Sequence, residues 1–283
     1  KRYIIPAILV IVLVAAVSIA WNIFKPPKFR QVMNRVTVGY HEEQVVLYSQ
    51  GKEKAAVYGD LDLIDYSLDQ TKAAFIVSDD TDSYYGGNLY IADSSGIKQV
   101  ADEVSYITMS ASGNGVAFVQ DVVGDLGTLC LYKNGKTTTI SEDVGLGGLI
   151  TISPDGNTVA YAVLDDIDYE YIGYYFDGEN HKLGRDIYPV AVSDGARYLY
   201  YMKNGKLYVQ KGDNEDSRVN LGDFGSVKAF NKDLSQVIFS NGNGERSYIS
   251  RKGGEKERLS GRISYILSPV GAMAKGYVLG ISS

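Results

Sequence analysis

The sequence predicts an all-β chain: a six-bladed β-propeller closed by strands from both termini and preceded by one N-terminal transmembrane helix. Three observations carry this reading. A turn-plus-strand pattern recurs six times, tyrosine and glycine are abundant (23 and 31 of 283 residues), and one long uncharged stretch stands near the start. Hydrophobic residues make up 45% and charged residues 22% of the chain, a globular composition. The repeated Gly and Pro turn signals favour short strands over helices.

The first element is "YIIPAILVIVLVAAVSIAWNIF", 22 uncharged residues from Tyr3 to Phe24. As a helix it is about 33 Å long, enough to cross a bilayer. Pro6 falls in the first turn, and Trp21 sits where an interfacial aromatic would. Residues 1–25 read as the anchor and 26–35 as a basic juxtamembrane stalk. The competing reading is a cleavable signal peptide, with Lys1 and Arg2 as its basic start and Ser18-Ile19-Ala20 as a small-x-small cleavage site. Lys1 and Arg2 flank one side of the span, and Lys25, Lys28, Arg30 and Arg35 the other, so the positive-inside rule does not fix the orientation. The expectation is a single-pass cell-membrane protein with its folded part outside the cytoplasm. A sensor ectodomain with a cytoplasmic part upstream of Lys1 is an alternative.

The folded part, 36–283, carries 22 basic against 34 acidic residues, a net charge of −12. That balance argues against a nucleic-acid partner. "ISPDGNTVAYA" (152–162) supplies the repeat. Taking Asp155 as anchor, equivalent turns fall at Asp69, Ser112, Asp194, Asp233 and Val270, spaced 43, 43, 39, 39 and 37 residues apart. Periods of this size signify arrays. Each copy has a second hairpin signal downstream: "LYIADSSG", "LCLYKNGK", "YYFDGEN", "LYVQKGD" and "SYISRKGG". A sixth, "LYSQGKEK", precedes the first anchor. The last anchor has only two strands after it (about Ile263 to Ile281), and the orphan pair about Val45 to Tyr58 supplies the missing two. Joining both ends leaves no open sheet edge.

The single cysteine, Cys130, excludes intrachain disulfides and Cys-based metal clusters, which fits a bacterial cell-surface protein. It shares its repeat position with Tyr48, Tyr90, Tyr174, Tyr208 and Tyr248, so it reads as packing rather than a reactive thiol.

Ser-Pro-Asp-Gly before an apolar strand, followed by a Leu-Tyr strand and a Gly turn, resembles the WD40-like repeat of TolB-like six-bladed propellers. The same repeat builds the propeller domain of the prolyl oligopeptidase and dipeptidyl peptidase families. The resemblance covers 36–283 and is strongest at 153–156; the second copy has "SASG", the fifth "NKDL" and the sixth "SPVG". It implies a propeller fold of the kind that mostly serves as an interaction platform. True WD40 repeats are disfavoured, because the only tryptophan is Trp21.

Nothing in the sequence supports catalysis. No G-x-S-x-G elbow, HExxH, Walker A or dinucleotide fingerprint occurs. Of the two histidines, His181 lies in the turn "DGENHK" and His41 precedes Glu42 and Glu43 in an edge segment, and "GLGG" (145–148) reads as a loop. The feature above background is acidic. A charged residue followed by an apolar one precedes the innermost strand of each blade: Asp60, Glu103, Asp143, Asp186, Asp223 and, as the exception, Arg262. The five acids form an expected ring at the channel mouth, where repeated Asp also serves tight turns. On the same face the loops of blades one to three bring Asp79, Asp80, Asp82, Tyr84, Tyr85, Asp121, Asp125, Asp165, Asp166, Asp168, Tyr169 and Glu170 together, with Tyr171 beside them. Such carboxylates among tyrosines suit a cationic partner segment, a stacked sugar, or Ca²⁺. The expectation is therefore a membrane-anchored, non-catalytic propeller that binds a protein or glycan partner without a cofactor. The alternative is a Ca²⁺-dependent propeller hydrolase or lactonase, against which only one of the inner-strand positions, Asp65, is a carboxylate.

Overall fold

The computed structural model describes residues 34–78, 86–146, 149–165 and 170–260, and the backbone of 262–267 and 278–282. The expected span, signal alternative and most of the stalk fall outside these residues. Among the described residues no helix is long and apolar enough to cross a membrane.

The chain is all-β and consistent with a propeller. An N-terminal antiparallel sheet holds β1 (Val36–His41), β2 (Gln44–Ser49) and β3 (Lys52–Tyr58). Unit 1 follows as β4 (Asp60–Tyr66), β5 (Lys72–Ser78), β6 (Gly87–Asp93) and the first half of β7 (Gly96–Met109). The second half of β7 opens unit 2, completed by β8 (Gly115–Val123), β9 (Leu126–Lys133) and β10 (Lys136–Gly145). Unit 3 is β11 (Ile150–Ile152), β12 (Val159–Asp165), β13 (Glu170–Phe176) and β14 (Asn180–Arg185). Unit 4 is β15 (Tyr188–Val192), β16 (Leu199–Lys203), β17 (Lys206–Lys211) and β18 (Asn214–Asp223). Unit 5 is β19 (Ser226–Phe230), β20 (Gln236–Ser240), β21 (Ser247–Arg251) and β22 (Lys256–Arg258). A final hairpin pairs β23 (Arg262–Leu267) with β24 (Val278–Ser282).

The second-hairpin signals of units 1 to 5 are turns between third and fourth strands, and "LYSQGKEK" is the turn between β2 and β3. Asn134-Gly135 and Asn204-Gly205 turn with both residues in the left-handed region (φ 52° and 79°; 50° and 69°), the geometry that matches hairpin twist. The anchor turns are built by one side chain. Ser153 is fully buried; its Oγ donates to Asp155 Oδ1 (2.7 Å) and accepts from the N–H groups of Asn157 (3.2 Å) and Thr158 (2.9 Å). Ser67 accepts from Lys72, Ser110 from Gly115, Ser193 from Tyr198, and Asn231 Oδ1 from Gln236. Ser153→Ala strands the buried Thr158 N–H, and chemical denaturation should show a loss of about 1–3 kcal/mol. A loss under about 0.5 kcal/mol would mean the turn holds without it.

Consecutive turns are also laced together. Leu68 donates from its backbone to Ala111 O, Ser112 to Pro154 O, and Asp155 to Asp194 Oδ1 (2.9, 2.9 and 3.0 Å). The cores obey the same order, each shared by neighbouring units. Phe118 and Cys130 of unit 2 pack with Ala74, Ile76 and Leu89 of unit 1, and Tyr161 of unit 3 with Val119 and Leu129 of unit 2.

The shared tyrosine position has a clear cause. Four of the five tyrosines face an aromatic on the second strand: Phe75–Tyr90, Tyr161–Tyr174, Tyr201–Tyr208 and Phe239–Tyr248 stack with centroids 5.5–5.7 Å apart, while Tyr48 lies opposite Thr37. Cys130 takes that place opposite Phe118. Burial pushes its thiol above the ordinary range, and Sγ lies 3.8 Å from Thr139 Oγ1, as a packing residue should.

The ends of the chain differ from expectation. The N-terminal part contributes three strands rather than two, because Val36–His41 pairs along its full length with β2. The edge of β1 facing away from β2 is engaged too: Val36 donates to Gln70 O and Val38 to Tyr66 Oη (2.8 and 3.0 Å). Among the described strands, β23 and β24 form a separate two-stranded sheet.

Candidate functional site

Antiparallel register sorts the loops by end. Asp60 pairs with Ser78, and Gly87 with Val104, so the connections between units and the loops joining second to third strands open at one end. Anchor turns and second hairpins lie at the other. The five expected ring acids stand at the first end, and the backbone explains the spacing. Glu103, Asp143 and Asp186 are in the left-handed region (φ 52°, 55° and 57°), while Gly59 and Gly222 (φ 122° and 86°) take it up just before Asp60 and Asp223. The following residues Val104, Val144 and Ile187 are buried. The acid-apolar repeat is thus a strand-to-strand bend with a buried plug. Among the described residues, no three His, Cys, Asp or Glu side chains are grouped to hold a metal ion.

Of the loop residues, Asp79, Asp80, Asp82, Tyr84, Tyr85, Asp166, Asp168 and Tyr169 lie outside the described residues. Asp121 and Asp125 are exposed on the β8–β9 hairpin and flank Val123, which is 82% exposed. Asp165 and Glu170 are already engaged: the Arg185 guanidinium sits 3.1 Å from Asp165 and 3.3 Å from Glu170. Arg185 is fifteen or more residues away in sequence and enters through the register of β13 with β14. Tyr171 packs edge-on against Tyr188 and over Gly145.

The structure adds residues to this end that the repeat did not single out. Tyr40 and Tyr58, 49% and 64% exposed, hydrogen-bond Asp60 and Glu43 through their hydroxyls. The hydrogen bond to Asp60 raises the Tyr40 hydroxyl above its ordinary value, and Glu43 does the same for Tyr58. Glu42 and Glu43 form the β1–β2 turn with φ of 50° and 61°, positions that usually favour Asn and Gly. Among the histidines, His41 is exposed beside Glu42, while His181 stacks on Tyr175 (4.5 Å) with Nε2 3.1 Å from Asp177.

No protein-family profile matches the chain, and no curated protein matches it. Solved structures do. The chain is similar to a eukaryotic initiation factor (12% identity, 86% of this chain and 70% of that one, TM-score 0.54). It is similar to prolyl oligopeptidase B from Galerina marginata (14%, 90% and 48%, TM-score 0.51). In fold, the chain resembles TolB-like and prolyl-oligopeptidase propellers. TolB from Acinetobacter baumannii matches at 14% identity over 83% of this chain and 65% of that one, with a TM-score of 0.44. The chain spans about half the length of the prolyl oligopeptidase and 65% of that TolB. At these identities the likeness concerns the fold, and the units above are its blades.

Proposed function

We propose that this is a non-catalytic propeller of six blades, closed by the C-terminal hairpin against the N-terminal sheet. It is tethered through residues 3–24 and holds its acidic, tyrosine-rich end toward a protein partner outside the cytoplasm. The observation that carries the reading is the gathering of carboxylates and exposed phenols at one end: the exposed Asp121 and Asp125 around Val123, and Glu43 and the half-buried Asp60 with Tyr40 and Tyr58. Exposed aromatic rings anchored beside carboxylates supply contact area at little side-chain entropy cost, with charge to steer a Lys/Arg-rich segment. His181 is held by Tyr175 and Asp177 and Cys130 is buried, which favours binding over chemistry.

The test is cross-linking capture of partners by the full chain and by a variant with Asp79, Asp80, Asp82, Asp121 and Asp125 changed to Asn. Partner capture that falls with rising salt should disappear in the variant at an unchanged melting temperature. Undiminished capture would remove this end from consideration. Capture of glycan rather than protein would change the partner class while keeping the surface.

A further inference from the structure

The opposite end carries a cleft outside the proposed partner surface. It lies at the seam of blades 1 and 2 and encloses about 420 Å³, within the range of small-ligand sites. Blade 1 supplies Lys72, Asp93 and Lys98, and blade 2 supplies Asn114, Tyr132 and Asn134, over a floor of Ile97 and Val116.

Its chemistry contrasts with the acidic chain around it. Lys72 Nζ donates to Gly113 O (3.0 Å), bridging the two blades. Asp93 is occupied by its own turn, accepting from the Ser95 N–H (2.7 Å) and hydroxyl. Lys98 is exposed and donates to Tyr132 Oη (3.3 Å), with Nζ 5.8 Å from the ring centroid. An ammonium has three donors, so Lys98 keeps donors for a ligand. The exposed amides of Asn114 and Asn134 each offer donors and an acceptor. The lining therefore joins cationic donors, neutral hydroxyl-matching amides and one aromatic ring.

We propose that this cleft binds a carboxylate-bearing monosaccharide unit of the uronic acid class. The carboxylate pairs with Lys98, while Lys72 offsets the charge of Asp93 in the same lining; hydroxyls meet Asn114 and Asn134; and an apolar C–H face lies on Tyr132. A neutral hexose lacks the charge, and a simple carboxylate lacks the hydroxyls and the C–H face.

Calorimetric titration of the full chain with glucuronate, glucose and acetate tests this. Glucuronate should bind at least about tenfold tighter than either control. Lys98→Gln should weaken glucuronate about tenfold, the loss of one charge-assisted contact, while Glu245→Gln, exposed on blade 5, leaves binding unchanged. A tetrasaccharide containing glucuronate binding tighter than the monosaccharide assigns the source to a polymer, and equal affinity assigns it to the free sugar. Glucuronate binding no better than both controls, or an unchanged affinity in Lys98→Gln and Tyr132→Leu variants of wild-type melting temperature, overturns the proposal.

Discussion

Replacing Tyr161 with Ala is expected to lower the unfolding free energy by about 3–5 kcal/mol, the range for emptying a large buried aromatic site. Tyr161 is 1% exposed at the start of the third blade's second strand. Its ring stacks on Tyr174 and fills the core shared with blade 2. Its hydroxyl donates to Asn180 Oδ1 (2.9 Å), whose amide in turn donates to Ile140 O (2.9 Å). One side chain thus joins second, third and fourth strands of its blade to the fourth strand of the preceding one. Tyr161→Phe keeps the ring and removes only the donor, so its loss should stay near 1 kcal/mol. Urea unfolding of both variants measures the two terms separately. Equal losses would mean that the hydroxyl network, rather than the ring, holds this seam.

The fold was legible because its signal is repeated and local. The anchor turns recur with a side chain that organises the backbone, so Asp69, Ser112, Asp155, Asp194 and Asp233 mark true turns even where Ser-Pro-Asp-Gly decays. The alignment of Cys130 with the tyrosines is local too, and the cross-strand aromatic opposite Cys130 and four of the five tyrosines supplies the reason. Less legible was whatever depends on one-off pairing. The third N-terminal strand breaks the expected four-strand count: "VTVGYH" lacks an anchor turn, and its pairing with β2 depends on the Glu42-Glu43 turn. The acidic end was legible as composition but not as electrostatics. Arg185 reaches Asp165 and Glu170 through strand register, and Tyr40 reaches Asp60 across a gap of twenty residues. The cleft left no sequence signal, since its polar residues come from separate strand ends and turns of two blades.

The same buried tyrosines make the fold alkali-sensitive. Burial, more than any neighbouring charge, pushes Tyr161 up to about 12, and likewise Tyr201, which is fully buried with its hydroxyl 3.2 Å from Gln210 Oε1. In the unfolded chain both titrate near 10. Above that pH the unfolded state has lost protons that the folded state keeps. Folding stability is therefore full below about pH 10 and falls as the pH rises toward 12. A displacement of two pKa units corresponds to about 3 kcal/mol for each tyrosine, and the pair should remove on the order of 5 kcal/mol, a large share of a typical domain's stability. Melting temperature followed upward from neutral pH should drop steeply in this window, with phenolate absorbance from the two residues appearing only as the chain unfolds. The double variant Tyr161→Phe, Tyr201→Phe starts from lower stability because Asn180 and Gln210 lose a donor. Its decline with pH must nonetheless be shallower, since two of the protons that drive unfolding are gone. A slope identical to that of the parent chain would place the alkaline sensitivity elsewhere in the propeller.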